Sequence, residues 1–153
     1  MDTRAVEILL VEDNPDDLEL TLHALRKDNL ANRIQVARDG EEALDYIFAR
    51  GPYAGPNGYN LPKLVLLDLK LPKVDGLEVL RQIKSDPRTK TVPVVILTSS
   101  KEQRDLVESY QLGVNSYIQK PVDFDQFRDT IKQIGLFWLV VNEPPPVEAF
   151  QGR

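Results

Sequence analysis

The chain has 153 residues, about the size of one domain, and 42% of them are hydrophobic, which is enough to build a core. It carries 19 Lys and Arg against 24 Asp and Glu, and the resulting charge of −5 argues against a nucleic-acid surface. Cysteine is absent and His23 is the single histidine, so disulfides, thiolate metal sites and multi-histidine metal sites are excluded. Neither a membrane-spanning run nor a signal peptide is recognisable, so we expect a cytoplasmic protein without membrane contact.

Apolar runs alternate with amphipathic segments along the chain. Unbroken runs such as "LVLL" are typical of strands buried on both faces, whereas Leu18, Leu22 and Leu25 have the spacing of a helix. In chain order, strands are predicted at 5–11, 33–37, 63–69, 92–100 and 115–120, and helices at 16–28, 40–50, 74–86, 101–113 and 122–141. These five β/α units predict an α/β fold, a doubly wound five-stranded parallel sheet with helices on both faces.

Polar residues follow the predicted strands at their carboxyl ends, where doubly wound sheets form their sites. Glu12 and Asp13 follow the first strand, Asp68 and Thr98 lie at the ends of the third and fourth, and Lys120 ends the fifth. Clustered carboxylates need counter-charge, which Lys120 and a hard cation such as Mg²⁺ would supply. This set is suited to phosphoryl transfer. Asp68 would be the nucleophile, Glu12 and Asp13 would hold the metal, and Thr98 and Lys120 would contact phosphoryl oxygens.

The segments "VEDN", "LLDLKLPKVDGLEVL", "VPVVILTSS" and "YIQKP" resemble those of two-component response regulator receiver domains. The resemblance extends over about residues 5–136. It implies a flavodoxin-like strand order of 2-1-3-4-5, Mg²⁺ as the cofactor, and a sensor histidine kinase as the donor that phosphorylates Asp68.

The same resemblance implies further roles at single positions. The backbone carbonyl of Lys70 would be a metal ligand, Thr98 and Tyr117 would respond to phosphorylation, and the Lys120–Pro121 bond would be cis. For Tyr117, a static place in the core is the alternative.

The insert "RGPYAGPNGYNLP" and the ending "GLFWLVVNEPPP" more closely resemble small response regulators paired with cyanobacterial phytochromes, which implies a phytochrome-type kinase as the partner.

We expect a receiver domain over residues 1–141 and a short Pro-rich tail over 142–153, without an output domain. The output would then be changed protein–protein binding or a phosphorelay, and the only chemistry would be the protein's own phosphorylation and dephosphorylation. A phosphatase with an aspartyl nucleophile is disfavoured, because Lys70 stands where a second acid is needed. A flavin-binding module is disfavoured because the acidic "VEDNPDD" would repel a phosphate.

Several residues have simpler interpretations. Asn14 is a suitable N-cap, and Asp16 and Asp17 are interpreted as favourable first-turn acids of the helix that follows. His23 is predicted to face solvent without a functional role. The insert, residues 50–62, is interpreted as a solvated loop, with a partner-docking loop as the alternative.

The last predicted helix is apolar around its whole circumference near its end. Phe127, Ile131, Ile134 and Trp138 share the face that should pack on the sheet, and "LFWLVV" adds apolar side chains on the other sides. Such a helix must be covered, either by the tail or by a second copy. We expect a homodimer with Phe137, Trp138 and Val141 in its interface.

Overall fold

The computed structural model describes residues 6–27, 29–31, 33–144 and 146, which form a parallel five-stranded sheet between two layers of helices. The strands are β1 (Ile8–Val11), β2 (Ile34–Ala37), β3 (Leu64–Leu67), β4 (Val94–Thr98) and β5 (Ser116–Gln119). The helices are α1 (Pro15–Lys27), α2 (Gly40–Ile47), α3 (Gly76–Ser85), α4 (Gln103–Leu112) and α5 (Phe124–Gly135). The strand order is β2-β1-β3-β4-β5, which confirms the predicted fold. Within the described part of the chain, no helix is long and apolar enough to cross a membrane.

The core consists of two clusters, one on each face of the sheet, because successive side chains of a strand point to opposite faces. Leu9, Val11, Val65 and Leu67 belong to the cluster that also contains the buried residues of α2 and α3. Ile8, Leu10, Leu64 and Leu66 belong to the cluster that contains those of α1 and α5. The central strands are therefore buried on both faces, as their unbroken apolar runs predict.

The strands end at nearly the same level, which gathers the residues that follow them. Val11 pairs with Ala37 on one side and with Leu67 on the other, and Thr98 pairs with Gln119. The crossover reverses between β1 and β3, and in this class of sheet a ligand site forms at that reversal. The sheet thus directs the segments after β1, β3, β4 and β5 to one edge.

The end of the last helix differs from the prediction. The α-helical part stops at Gly135, and Leu136–Val141 is a π-helix whose wider turn is closed by the Asn142 N–H donating to the Phe137 carbonyl at 2.6 Å. Trp138 packs against the cluster that contains α1 and α5, whereas Phe137 and Val141 are 49% and 68% exposed. Most of the predicted tail, residues 145 and 147–153, lies outside the described residues.

The insert is exposed at residues 50–52 and 54–58, but hydrogen bonds hold it at both ends. A 3₁₀ turn at Gly51–Tyr53 is held by the Tyr53 hydroxyl, which donates to Glu42 at 2.9 Å. The Asn60 backbone N–H donates to the Ile47 carbonyl at 2.9 Å, and the Tyr59 hydroxyl donates to Asp86 at 3.1 Å. The interpretation as a simple solvated loop was therefore incomplete, because two tyrosine side chains and the Asn60 backbone attach the insert to α2 and to the end of α3.

Helix ends and single residues otherwise follow the sequence pattern. Asn14 accepts the Asp17 N–H at 3.0 Å as an N-cap, and Gly113 ends α4 with a left-handed φ of 102°. His23 is exposed, as predicted. The Lys120–Pro121 bond is trans, so the cis bond that the resemblance implied is not found.

Candidate functional site

Four strands bring the candidate residues to one edge of the sheet. Glu12 follows β1 and Asp68 follows β3, with the Asp68 N–H donating to the Val11 carbonyl at 3.0 Å. Thr98 is the last residue of β4, and the Lys120 N–H donates to its carbonyl at 2.7 Å. Backbone pairing therefore brings the residues that carry the carboxylates, the hydroxyl and the ammonium to the same edge of the sheet.

The Lys120 ammonium is at the centre of the site. Its Nζ lies 2.8 Å from a carboxylate oxygen of each of Glu12, Asp17 and Asp68. The side chains of Lys120, Glu12 and Asp68 are only 8%, 4% and 7% exposed. Three N–H donors meet three carboxyl acceptors, so the ammonium is fully hydrogen-bonded in a largely dry environment.

Burial and charge act in opposite directions on this cluster. Burial raises the pKa of Glu12 to about 7, although the hydrogen bond from Lys120 opposes the shift. Burial alone would lower the pKa of Lys120, but its bonds to Asp17, Asp68 and Glu12 outweigh burial and raise that pKa. The site holds a stable positive charge and more negative charge than one lysine can balance.

The remaining negative charge suits a divalent cation. Glu12, Asp13 and Asp68 each offer a carboxylate oxygen within 4.8 Å of the others, and Asp13 is exposed whereas its two neighbours are buried. Asp13, the exposed member of the cluster, and Lys70 both line a cleft of about 420 Å³. A set of oxygen ligands with room for water is the donor set that Mg²⁺ prefers, so the residues present fit that ion.

Asp17 is a site residue that the sequence analysis missed. It was interpreted as a first-turn helix acid, and it does lie in the first turn of α1, but its carboxylate also binds Lys120. The sequence feature that points to this contact is the position of Asp17. The first turn of α1 begins at the same edge of the sheet as Asp13, so an acid there can reach the site.

Thr98 and Tyr117 lie at the side of the site formed by β4 and β5. Thr98 is fully buried, and its hydroxyl oxygen accepts the Ser100 N–H at 3.2 Å. Tyr117 packs against the cluster containing α2 and α3, and its hydroxyl oxygen is buried without a hydrogen bond of normal geometry. A buried polar atom in that condition is costly, and an alternative position for the ring could relieve the cost.

The raised pKa of Glu12 leads to a pH dependence of stability in metal-free protein. The folded state binds this proton more tightly than the unfolded state between 4.5 and about 7, so stability falls as the pH rises through that interval. With a chelator present, we expect the free energy of unfolding to fall by about 2 kcal/mol between roughly pH 5 and pH 8. Denaturant titrations at the two pH values measure this change.

Glu12→Gln should flatten this pH dependence, because its amide does not titrate. Glu19→Gln, which changes an exposed acid on α1, should retain the full change. An equal fall in stability for wild type and Glu12→Gln would contradict the assignment to Glu12.

Comparison with known proteins gives consistent results. The response regulator receiver domain family matches residues 8–132. The probable methanogenesis regulatory protein FilR2 of Methanothrix harundinacea is 46% identical over 90% of this chain and 86% of its own length. The phosphorylated cyanobacterial phytochrome response regulator RcpA has a TM-score of 0.85 and 42% identity, covering 92% of this chain and 99% of its own.

Two further solved structures are similar over most of the chain. The Mn²⁺-bound form of response regulator Rcp1 has a TM-score of 0.84 and 37% identity, over 92% of this chain and 99% of its own. The bacteriophytochrome response regulator AtBRR is 58% identical, with a TM-score of 0.69, over 90% of this chain and 98% of its own. The match over residues 8–132, on a sheet of the expected order, identifies this chain as a member of the response regulator receiver domain family.

Proposed function

We propose that this receiver domain accepts a phosphoryl group on Asp68 from a sensor histidine kinase, in a reaction that depends on Mg²⁺. The observation that carries the proposal is the buried contact of Lys120 with Asp68 and Glu12 beside the exposed Asp13. A carboxylate held against an ammonium and next to further acids is equipped to become an acyl phosphate.

The chain's own residues account for the transfer. An Asp68 carboxylate oxygen attacks phosphorus, the bond from phosphorus to the kinase histidine breaks, and the imidazole leaves with the electron pair of that bond. Lys120 neutralises charge on a phosphoryl oxygen, and the Thr98 hydroxyl donates to another. Bound Mg²⁺ supplies the remaining charge neutralisation. The ligands proposed for it are Asp13, Asp68 and the Lys70 carbonyl, with Glu12 acting through bound water. The Mn²⁺-bound form of Rcp1 supports a divalent ion at such a site.

Removing Asp13 should weaken Mg²⁺ binding more than removing Glu12. Glu12 is buried and bonded to Lys120, whereas Asp13 is exposed and available as a ligand. We expect calorimetric titration to give a loss of at least roughly tenfold in affinity for Asp13→Ala and a smaller loss for Glu12→Ala. Asp16→Ala is the control, because Asp16 is an exposed acid outside the cluster. An Asp13→Ala protein with unchanged affinity would contradict the ligand set.

A phytochrome-type kinase is the proposed donor, because RcpA and AtBRR are named as response regulators of phytochromes and are 42% and 58% identical to this chain. The test is transfer of labelled phosphate from a panel of purified histidine kinases, including phytochrome kinases and others. Fastest transfer from a phytochrome kinase supports the proposal. Faster transfer from an unrelated kinase would still support the phosphoacceptor function but would contradict a phytochrome-type kinase as the donor.

Thr98 and Tyr117 are proposed to report phosphorylation. A phosphoryl oxygen would draw the Thr98 hydroxyl away from Ser100, and the Tyr117 ring would move into the space released. Amide hydrogen exchange should therefore change most in α4, β5 and α5 when Asp68 is phosphorylated. Tyr117→Phe should give a smaller change, since the buried hydroxyl is lost. Identical exchange in these elements with and without phosphate would reject this switch.

The proposed output is a change in protein–protein binding, either to a downstream partner or back to a kinase in a phosphorelay. We also propose that the protein acts as a homodimer through the segment that follows α5. Phosphorylation would then change the dimer through Tyr117, because Tyr117 lies on β5, the strand that precedes α5 in the chain.

A further inference from the structure

The loop between β3 and α3 is attached to the start of α2, outside the acidic site. The Gly40 N–H donates to the Pro72 carbonyl at 3.3 Å. A Cβ on Gly40 would lie 1.8 Å from the Val74 carbonyl oxygen and 2.9 Å from the Val74 Cβ. Gly40 has no left-handed φ, so α2 does not need glycine for its backbone there, and only the close approach of the loop requires it.

Lys73 makes a second attachment between the same two elements. Its φ is +67°, and the Val74 N–H donates to the Pro72 carbonyl at 2.8 Å, which closes a tight γ-turn around Lys73. The Lys73 ammonium lies 3.8 Å from Asp39 and 3.6 Å from Glu41. Asp39 is also the N-cap of α2, because it accepts the Glu42 N–H at 2.7 Å. A strained conformation of this kind persists only when its surroundings hold it.

The loop held in this way leads directly into the candidate metal site. Lys70 and Pro72 line the same cleft as Asp13. At its other end the loop is fixed by Gly76, whose N–H donates to the Leu69 carbonyl at 2.9 Å and whose added Cβ would lie 2.3 Å from the Asp68 carbonyl oxygen. With both ends fixed, the backbone at Lys70 has little freedom to move relative to Asp13 and Asp68.

We infer that Gly40 and Lys73 are positioning residues for the divalent cation: they fix the loop that presents the Lys70 carbonyl. This inference rests on the proposed function, since it assumes that Mg²⁺ binds at Asp13 and Asp68. Neither residue touches the ion or the phosphoryl group. Each holds in place the loop backbone whose Lys70 carbonyl would contact the ion.

The first test is the Mg²⁺ affinity of Gly40→Ala, measured by calorimetry on unphosphorylated protein. The new methyl group must displace Val74 and the loop, so we expect affinity to fall roughly tenfold, as for residues that orient metal ligands indirectly. The Mg²⁺ concentration for half-maximal phosphorylation should rise by a similar factor, while the rate at saturating Mg²⁺ recovers. Gly55→Ala is the matched control, because a Cβ there meets nothing within 4 Å.

The second test is Lys73→Asn, which is safe for folding because the Lys73 side chain is 61% exposed and Asn tolerates a positive φ. Removing a positive charge near a cation site should by charge alone tighten Mg²⁺ binding. Loss of the attachment to Asp39 and Glu41 should instead weaken it, by about threefold at low salt. The sign of the change therefore distinguishes the two effects. Lys101→Asn, in the exposed loop after β4, controls for the loss of a lysine at the same edge of the sheet.

The outcomes separate this inference from the proposed function. Wild type without Mg²⁺ binding would overturn both. Wild-type binding with unchanged affinity in Gly40→Ala and Lys73→Asn would overturn the positioning role alone. If Gly40→Ala does not fold in chelator, Lys73→Asn decides: weaker binding supports the role, and equal or tighter binding rejects it.

Discussion

Asp68→Asn is expected to reduce phosphorylation by a histidine kinase to background. Asp68 is a buried carboxylate at the end of β3, the middle strand of the sheet, where it contacts Lys120 and belongs to the acidic cluster. Asn is close in shape, so it removes the attacking carboxylate oxygen while leaving the site otherwise packed. Labelled phosphate retained on the protein after gel separation measures the effect, and mass spectrometry of the wild type maps the modified residue.

The control is Asp16→Asn, an exposed acid of α1 that lies outside the Lys120 contacts. It should be phosphorylated as fast as wild type. Full labelling of Asp68→Asn would show that another acid is the phosphoacceptor, and Asp13 would be the first candidate to map.

Asp68→Asn should also be thermally more stable than wild type in chelator, since it removes one of three crowded carboxylates.

The sheet and the main site were predictable because both depend on short-range regularities of the sequence. Unbroken apolar runs mark strands buried on both faces, and parallel strands must end at a common edge. The position of Glu12, Asp68 and Lys120 at this edge can therefore be predicted before any of their contacts is known. The strand ends were less exact, since among the described residues of the run at 5–11 only Ile8–Val11 form a strand.

The features that sequence could not supply depend on contacts between elements distant along the chain. Asp17 contacts Lys120, which is 103 residues away along the chain. Its position in the first turn of α1 predicts a favourable acid at a helix N-terminus but does not predict this contact. The anchoring of the insert depends on Tyr53 and Tyr59 meeting acids of α2 and α3. The left-handed Lys73 gives no sequence signal at all, because lysine does not favour that conformation.

The π-helix after α5 also escaped prediction, whereas the inward packing of Trp138 agrees with the face predicted for it. An apolar stretch has the same composition whether its turns are α or π, so "LFWLVV" predicted a continuous helix. In the structure Trp138 is turned inward and contacts Phe137 edge-on, with ring centroids 5.1 Å apart. Trp138 would therefore pack beneath the dimer interface. The surface of that interface would consist of the exposed residues Leu136, Phe137, Val140 and Val141.

Wild type is expected to be a dimer at micromolar concentration, and Phe137→Asp a monomer. Phe137, Val140 and Val141 are 49%, 66% and 68% exposed on one short segment, and burying large apolar side chains is worth roughly 1.5–3 kcal/mol each. In a symmetric dimer the same patch is used by both copies, so one substitution acts twice. Two such losses of about 1.5 kcal/mol would weaken the dimer by roughly a hundredfold.

Sedimentation of both proteins over a range of concentrations measures the change. Val122→Asp is the matched control. Within the described part of the chain Val122 is the most exposed large apolar residue, and it precedes α5 at the other end of that helix. It should dimerise as wild type does. Repeating the measurement on phosphorylated protein tests whether Asp68 influences the interface through β5.

The competing explanation is that the tail covers this patch within one copy. A protein shortened at Asn142 separates the two, because loss of an intramolecular cover would promote association, whereas a dimer formed by Leu136–Val141 would keep its strength. Wild type that stays monomeric at high micromolar concentration, or Phe137→Asp that dimerises equally well, would exclude this segment as the interface. A dimer that survives Phe137→Asp would have to use another exposed apolar group, and the exposed Leu106, Val107 and Tyr110 on one helix, α4, are the first to test.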